Sequence, residues 1–235
     1  MPRARSVERL PLGRLSLERV AQALAVLCLV ILSVLAGKPS FTNASQPPRG
    51  IRDPMIALEM ARDVGEVDAI LGESPGPDRE AMRLKQYIDF AFILSYVALF
   101  GAMGAALARR SRWGWVVAAG GLAMGGPDVL ENLAILRLLP VDLASTTQAM
   151  IDAIRQASLI KWSCASMAMV VIALFFLDGR RWRLRMVGVV NFAAGALICW
   201  GLVSNSMLVW GGAMMAAGVL ASAATLKSVT HEPAA

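Results

Sequence analysis

Residues 20–37 read VAQALAVLCLVILSVLAG, a stretch of membrane-spanning length without a charged side chain. Because an α-helix rises about 1.5 Å per residue, roughly 20 mostly apolar residues cross the hydrocarbon core of a bilayer. Five more mostly apolar stretches of membrane-spanning length follow within 86–226, at 86–108, 113–135, 157–177, 185–203 and 207–226. The sequence therefore predicts an all-α fold, a polytopic six-helix transmembrane bundle.

The composition is that of a membrane protein. Of the 235 residues, 57% are hydrophobic and 17% are charged, whereas a soluble domain has roughly 25% charged residues. A net charge of +6 could indicate nucleic-acid binding in a soluble protein, but here the surplus Lys and Arg flank the apolar stretches. We therefore expect membrane lipids around the protein and no nucleic-acid partner, and we leave a protein partner or a homo-oligomer open.

The cysteines and the histidine exclude several kinds of site. Cys28, Cys164 and Cys199 each lie alone in an apolar stretch, without the spacing of a zinc or redox motif. The only histidine in the sequence, His231, lies in the polar C-terminal tail, so neither a haem-ligating pair nor a Ser-His-Asp triad can form. We expect no cofactor and no metal site, and any metal would need carboxylate and carbonyl ligands.

The distribution of Lys and Arg predicts the orientation of the chain. Five arginines lie in the basic N-terminal segment 1–19, three in 109–112 and four in 178–185. The connections on the opposite side, including the long segment 38–85, have no positive bias. Because positive loops stay in the cytoplasm, both termini, including the tail 227–235, are predicted to be cytoplasmic in a bacterial inner (cytoplasmic) membrane.

The first span has an alternative interpretation as a secretory signal peptide. Val34-Leu35-Ala36 before Gly37 resembles a small-residue cleavage site. A span is favoured because the arginine-bearing region before it is long and five further spans follow.

The long outer segment contains an amphipathic pattern over about 54–71. Asp53 before Pro54 predicts a capped helix start, and Gly72 predicts its end. Apolar residues recur between them at helical spacing: Ile56, Met60, Val64, Val67 and Leu71. We expect one extracytoplasmic amphipathic helix between spans 1 and 2, lying on the membrane or packed on the spans.

We single out six polar side chains within the predicted spans: Asp89, Tyr96, Asp128, Glu131, Asn132 and Lys161. With the predicted orientation, the four charged ones fall in the outer half of the bilayer. Asp128, Glu131 and Asn132 follow an i, i+3, i+4 pattern, which places them on one helix face. A charge inside the bilayer costs at least ~2.5 to 3.5 kcal/mol, so such groups turn to the bundle interior and find partners. We therefore expect one shared site.

Lys161 is the only base among these groups, and we expect it to pair with Glu131 or Asp128. Three carboxylates against one ammonium leave a formal surplus of two negative charges, which is costly in a medium of low dielectric constant. A protonated carboxyl, a bound cation, or an arginine such as Arg83 or Arg155 folded in from the outer loops would each remove part of this surplus.

Two glycine pairs precede the polar site in the third predicted span, Gly120-Gly121 and Gly125-Gly126. Gly121 and Gly125 are four residues apart, a spacing that lets helix backbones approach closely. Alternatively, the helix opens at Pro127 into a cavity in which backbone carbonyls join the carboxylates as ligands.

The polar residues also occur in a characteristic order: Glu59, then Tyr87-Ile88-Asp89-Phe90 with Tyr96, then Asp128-Val129-Leu130-Glu131-Asn132, and finally Lys161-Trp162. This order resembles a loosely defined set of uncharacterised small polytopic membrane proteins of bacteria. The likeness covers about residues 55–165, and D-x-x-E-N followed by K-W is its most specific part. The resemblance implies no activity.

Three classes of function agree with this pattern. The favoured one is a structural ion-pair lock in a membrane protein that binds or assembles with partners. The second is a transporter or sensor that binds a proton, a cation or a small solute from the outer side. The third is an enzyme that modifies a lipid or isoprenoid with carboxylates as acid and base, although the sequence shows no paired metal motif and no phosphate-binding arginine cluster.

Overall fold

The computed structural model describes residues 16–37, 41–42 and 48–231. Within these ranges the secondary structure is helical throughout: α1 (Leu17–Gly37), α2 (Pro54–Glu59), α3 (Val64–Leu71), α4 (Pro77–Ala108), α5 (Gly114–Leu138), α6 (Gln148–Leu177), α7 (Trp182–Gly201) and α8 (Ser206–Thr230), with one 3-10 turn at Pro48–Gly50. The all-α prediction is confirmed. Four of the five N-terminal arginines used for the orientation lie outside the described residues.

Five helices are long and apolar enough to cross a membrane, namely α1, α4, α6, α7 and α8. They indicate a multi-pass membrane protein. The remaining predicted span corresponds to α5, which has 25 residues but is not among the five. Its sequence contains Pro127, Asp128, Glu131 and Asn132, which lower its mean hydropathy. The number of six spans therefore stays a prediction.

The six long helices form a closed bundle. Each of α4 to α7 packs against the next helix in the chain, and α1 packs against both α4 and α8. The glycines of α5 let this helix lie close to α4. A Cβ atom added to Gly125 would lie only 2.5 Å from Val97 Cγ2. On Gly121 it would lie 2.6 Å from Phe100 Cβ. The close packing predicted for these glycines is confirmed, and α5 runs through Pro127 without a break.

The outer segment contains two short helices, so the single helix predicted over 54–71 is wrong. The cause is local: the Asp63 carboxylate accepts a hydrogen bond of 2.9 Å from the Glu66 N–H, and the Glu66 carboxylate accepts one of 2.8 Å from the Arg62 N–H. This reciprocal cap starts a new helix at Val64. The apolar stripe is nevertheless buried at Met60, Val67 and Leu71.

Both ends of α1 are tied to α4. At one end Glu18 pairs with Arg109 at 3.1 Å. At the other end the Lys85 ammonium donates a hydrogen bond to the Leu35 carbonyl, in the last turn of α1, where carbonyls lack intrahelical donors. Ala21, Ala25 and Leu35 are buried, so α1 is a packed member of the bundle.

Candidate functional site

Lys161 of α6 lies at the centre of a buried group of carboxylates. Its Nζ atom is 2.8 Å from Glu131 Oε1, 3.0 Å from Asp128 Oδ1 and 3.2 Å from Glu59 Oε1. The Lys161 side chain is 11% exposed, and the carboxylate side chains are exposed by 8% or less. The predicted pairing of Lys161 with Glu131 or Asp128 is confirmed, since the ammonium contacts both.

Glu59 is a member of this cluster that the sequence did not identify. It is the last residue of α2, and its Oε2 atom accepts a hydrogen bond of 2.8 Å from the Trp162 indole N–H. Burial raises the pKa of the Glu59 carboxyl above its usual range, and the Lys161 ammonium opposes this rise. One sequence feature could have identified Glu59: it is an acidic residue three positions after Ile56, on the apolar face of the predicted outer helix.

The α4 helix contributes two further polar groups. The Tyr96 hydroxyl donates to Asp128 Oδ2 at 2.9 Å, and the Asn132 amide donates to Asp89 Oδ2 at 2.8 Å. Because Tyr96 and Asp89 are on α4 while Asp128 and Asn132 are on α5, these bonds connect the two helices. The structure thus brings all six residues that we singled out into one region of the bundle.

Glu131 has a second partner in Ser158, one turn before Lys161 on α6. The Ser158 Oγ atom is within hydrogen-bonding distance of Glu131 Oε2 and lies 2.9 Å from the Ile154 carbonyl. A serine hydroxyl has one hydrogen and cannot donate fully to both acceptors. The contact between Ser158 and Glu131 adds a second link between α5 and α6.

The cluster holds more negative charge than the sequence predicted. With Glu59, four carboxylates face one ammonium, a formal surplus of three negative charges. The expectation that Arg83 or Arg155 folds in is wrong: Arg83 pairs with Glu80 at 2.7 Å, and no ion pair joins Arg155 to the cluster in the described part of the chain. Among the described residues, no group of three or more His, Cys, Asp or Glu side chains could hold a metal ion.

A cavity of about 350 Å³ lies beside the cluster. It is bounded by α1, α2, α4, α5, α6 and α8, and its wall is apolar over most of its area, with side chains such as Leu29, Leu32, Val219 and Leu220. The polar side chains of the cluster region are on its α2, α4, α5 and α6 walls: Glu59, Asp89, Tyr96, Asp128, Lys161 and Trp162. Asp53, just before α2, also borders the cavity. An apolar chamber with a few convergent polar groups is typical of sites that bind small molecules.

Comparison of the chain with protein-family models, with curated proteins and with solved structures gives no match. The resemblance to the set of small bacterial membrane proteins therefore stays a prediction.

Proposed function

We propose that the protein is a six-span protein of the bacterial inner membrane that binds a small amphiphilic molecule in the cavity of its outer half. One observation carries this proposal: the charged cluster forms part of the wall of a cavity. A purely structural ion pair would be satisfied in a closely packed core. Here Glu59, Asp128 and Lys161 also border an apolar volume of about 350 Å³, where they can orient a ligand with a polar end.

The cluster also acts as the lock that the sequence favoured. Through Lys161 it joins α6 to α2 and α5, and through Tyr96 it joins α5 to α4. These helices carry about half of the residues that line the cavity. The lock therefore fixes the shape of the binding site, and the structural and binding interpretations describe the same residues.

The α5 helix serves as the sixth span in this proposal. Its 25 residues extend about 37 Å, enough for a hydrocarbon core of about 30 Å. Leu122, Leu130 and Leu133 are exposed on its outward face, whereas Asp128 and Glu131 are buried. A mean hydropathy over the whole helix therefore understates how apolar its lipid-facing side is.

Six spans with cytoplasmic termini give a definite pattern with a reporter that is active only in the periplasm. Fusions after residue 110 and at the C-terminus should be inactive, because both points lie on the cytoplasmic side. A fusion near residue 75, between α3 and α4, should be active. An active C-terminal fusion would contradict the proposed number of spans, and the fully reversed pattern would contradict the orientation.

Binding in the cavity is tested with a photoreactive probe, octanol that carries a diazirine in its chain, added to the purified protein in nanodiscs. We expect saturable labelling of the residues that line the cavity on α1 and α8, located by peptide mass spectrometry. Ala216→Phe places a ring in the cavity wall and should reduce this labelling about tenfold or more. The matched control is Ala217→Phe, one residue further along α8, where the side chain is exposed on the outside of the bundle.

Two outcomes would overturn the proposal. The first is labelling that never saturates and falls only on the lipid-facing surface. The second is saturable labelling that Ala216→Phe and Ala217→Phe change equally. In both cases the cavity would not be the binding site.

A further inference from the structure

Asp89 differs from Glu59 and Asp128, the two other cluster carboxylates that border the cavity. Asp53, which also borders it, caps α2 and accepts hydrogen bonds from the Met55 and Ile56 N–H groups. Glu59 and Asp128 are each within 4 Å of the Lys161 ammonium, whereas within the described part of the chain no basic nitrogen lies that close to Asp89. Its hydrogen-bond partner is the neutral Asn132 amide, at 2.8 Å. Asp89 is 7% exposed and borders the cavity. An unpaired buried carboxylate is costly, because desolvation favours neutralisation or a cationic partner.

The aromatic side chains near Asp89 on the cavity wall suit a cation. Phe92 and Tyr96, whose rings meet edge to face at 5.4 Å, border the cavity one and two turns along α4 from Asp89. Aromatic rings attract cations that approach their faces.

We propose that the ligand of the cavity is a single-chain alkyl amine whose ammonium group binds Asp89 while its chain occupies the apolar part. This inference rests on the proposed function. The ammonium supplies positive charge that the cluster lacks, and its N–H groups can donate to the Asp89 carboxylate. The chain lies among the leucine and valine side chains of α1 and α8, such as Leu32 and Val219, so apolar burial adds to the affinity.

The charge of the cluster also selects against other cationic ligands. A phospholipid with an ammonium headgroup would bring an anionic phosphate close to Glu59, Asp89 and Asp128, which repel it. A bare metal ion would leave the apolar walls without a ligand to contact. A free alkyl amine has the cationic head and the chain without the phosphate.

The experiment compares octylamine with octanol as competitors of the photoreactive octanol probe, in nanodiscs of zwitterionic lipid at neutral pH. Octylamine is protonated under these conditions, and we expect it to compete at about tenfold lower concentration than octanol. Octanol can donate only a neutral O–H to the Asp89 carboxylate, whereas the ammonium forms a hydrogen-bonded ion pair with it. Asp89→Asn should bring the ratio between the two competitors close to one. Asp142→Asn, which removes an exposed acid outside the cavity, should keep the ratio of the wild type.

The possible failures are distinguishable. If the probe labels no saturable site, the proposed function is wrong and the inference falls with it. If Ala216→Phe blocks the labelling but octylamine competes no better than octanol in the wild type, the cavity binds neutral amphiphiles and the inference alone is overturned. A preference for octylamine that persists in Asp89→Asn would also overturn it, because the ammonium would then bind elsewhere. The comparison of octylamine with octanol in the wild type does not depend on the folding of any variant.

Discussion

Lys161→Met is expected to lower the free energy of unfolding by about 3 to 5 kcal/mol, the usual cost of removing one partner from a buried ion pair. Methionine fills similar space but leaves Glu59, Asp128 and Glu131 without the ammonium that lies within 3.2 Å of each. Equilibrium unfolding of the purified protein in detergent measures the effect. Lys227→Met is the matched control, because Lys227 is exposed in the last turn of α8 and its loss should change stability little.

A second substitution separates charge from packing in this result. Glu131→Gln or Asp128→Asn in the Lys161→Met background removes one of the stranded charges and should recover part of the lost stability. If Lys161→Met is as harmless as Lys227→Met, the ammonium does not hold the cluster together. If the loss is large but neither second change recovers any of it, the loss arises from packing and not from charge.

Much of the cluster could be predicted because its members interrupt apolar spans. Asp128, Glu131 and Asn132 share one helix face by their spacing alone, and the cost of a charge in lipid requires that face to point inward. Lys161 was the only base at that depth, so its pairing followed. Local periodicity and the properties of the bilayer were sufficient to predict that these residues lie together in the bundle interior.

Glu59 could not be assigned to the cluster in the same way. It lies in an outer segment, where water could have solvated a carboxylate, so its sequence position carries no requirement for a partner. Its contacts with Lys161 and Trp162 depend on how α2 lies over the bundle. That placement is a tertiary property, and it makes the charge surplus of the cluster larger than the sequence indicated.

The outer helices and the cavity show two other limits of sequence patterns. Apolar residues recur at helical spacing from Ile56 to Leu71 without interruption. The side-chain cap at Asp63 nevertheless starts a new helix within this stretch. The cavity exists because α1 meets α4 and α8 without filling the space between them. Voids of this kind depend on how whole helices pack, and no local pattern marks them.

Gly104→Ala is expected to destabilise the protein by about 1 to 3 kcal/mol, the usual cost of overpacking a tight contact. A Cβ atom on Gly104 of α4 would lie 2.5 Å from the Ala118 amide nitrogen and 2.8 Å from the Gly114 carbonyl oxygen of α5. Non-bonded heavy atoms prefer about 3.5 to 4.0 Å. Because both neighbours are backbone atoms, no side-chain rotation relieves the clash, and α4 and α5 must move apart.

Gly101→Ala, one turn earlier on the same helix, is the matched control. A Cβ atom there would meet nothing within 4 Å, so this change should be neutral or stabilise the helix by up to about 1 kcal/mol, the difference in helix propensity between Gly and Ala. Both variants make the same chemical change in α4, so the difference between their unfolding free energies isolates the contact with α5. Equal effects would mean that α4 and α5 do not approach as closely as the structure shows. The link between Tyr96 and Asp128 across that interface would then be lost as well.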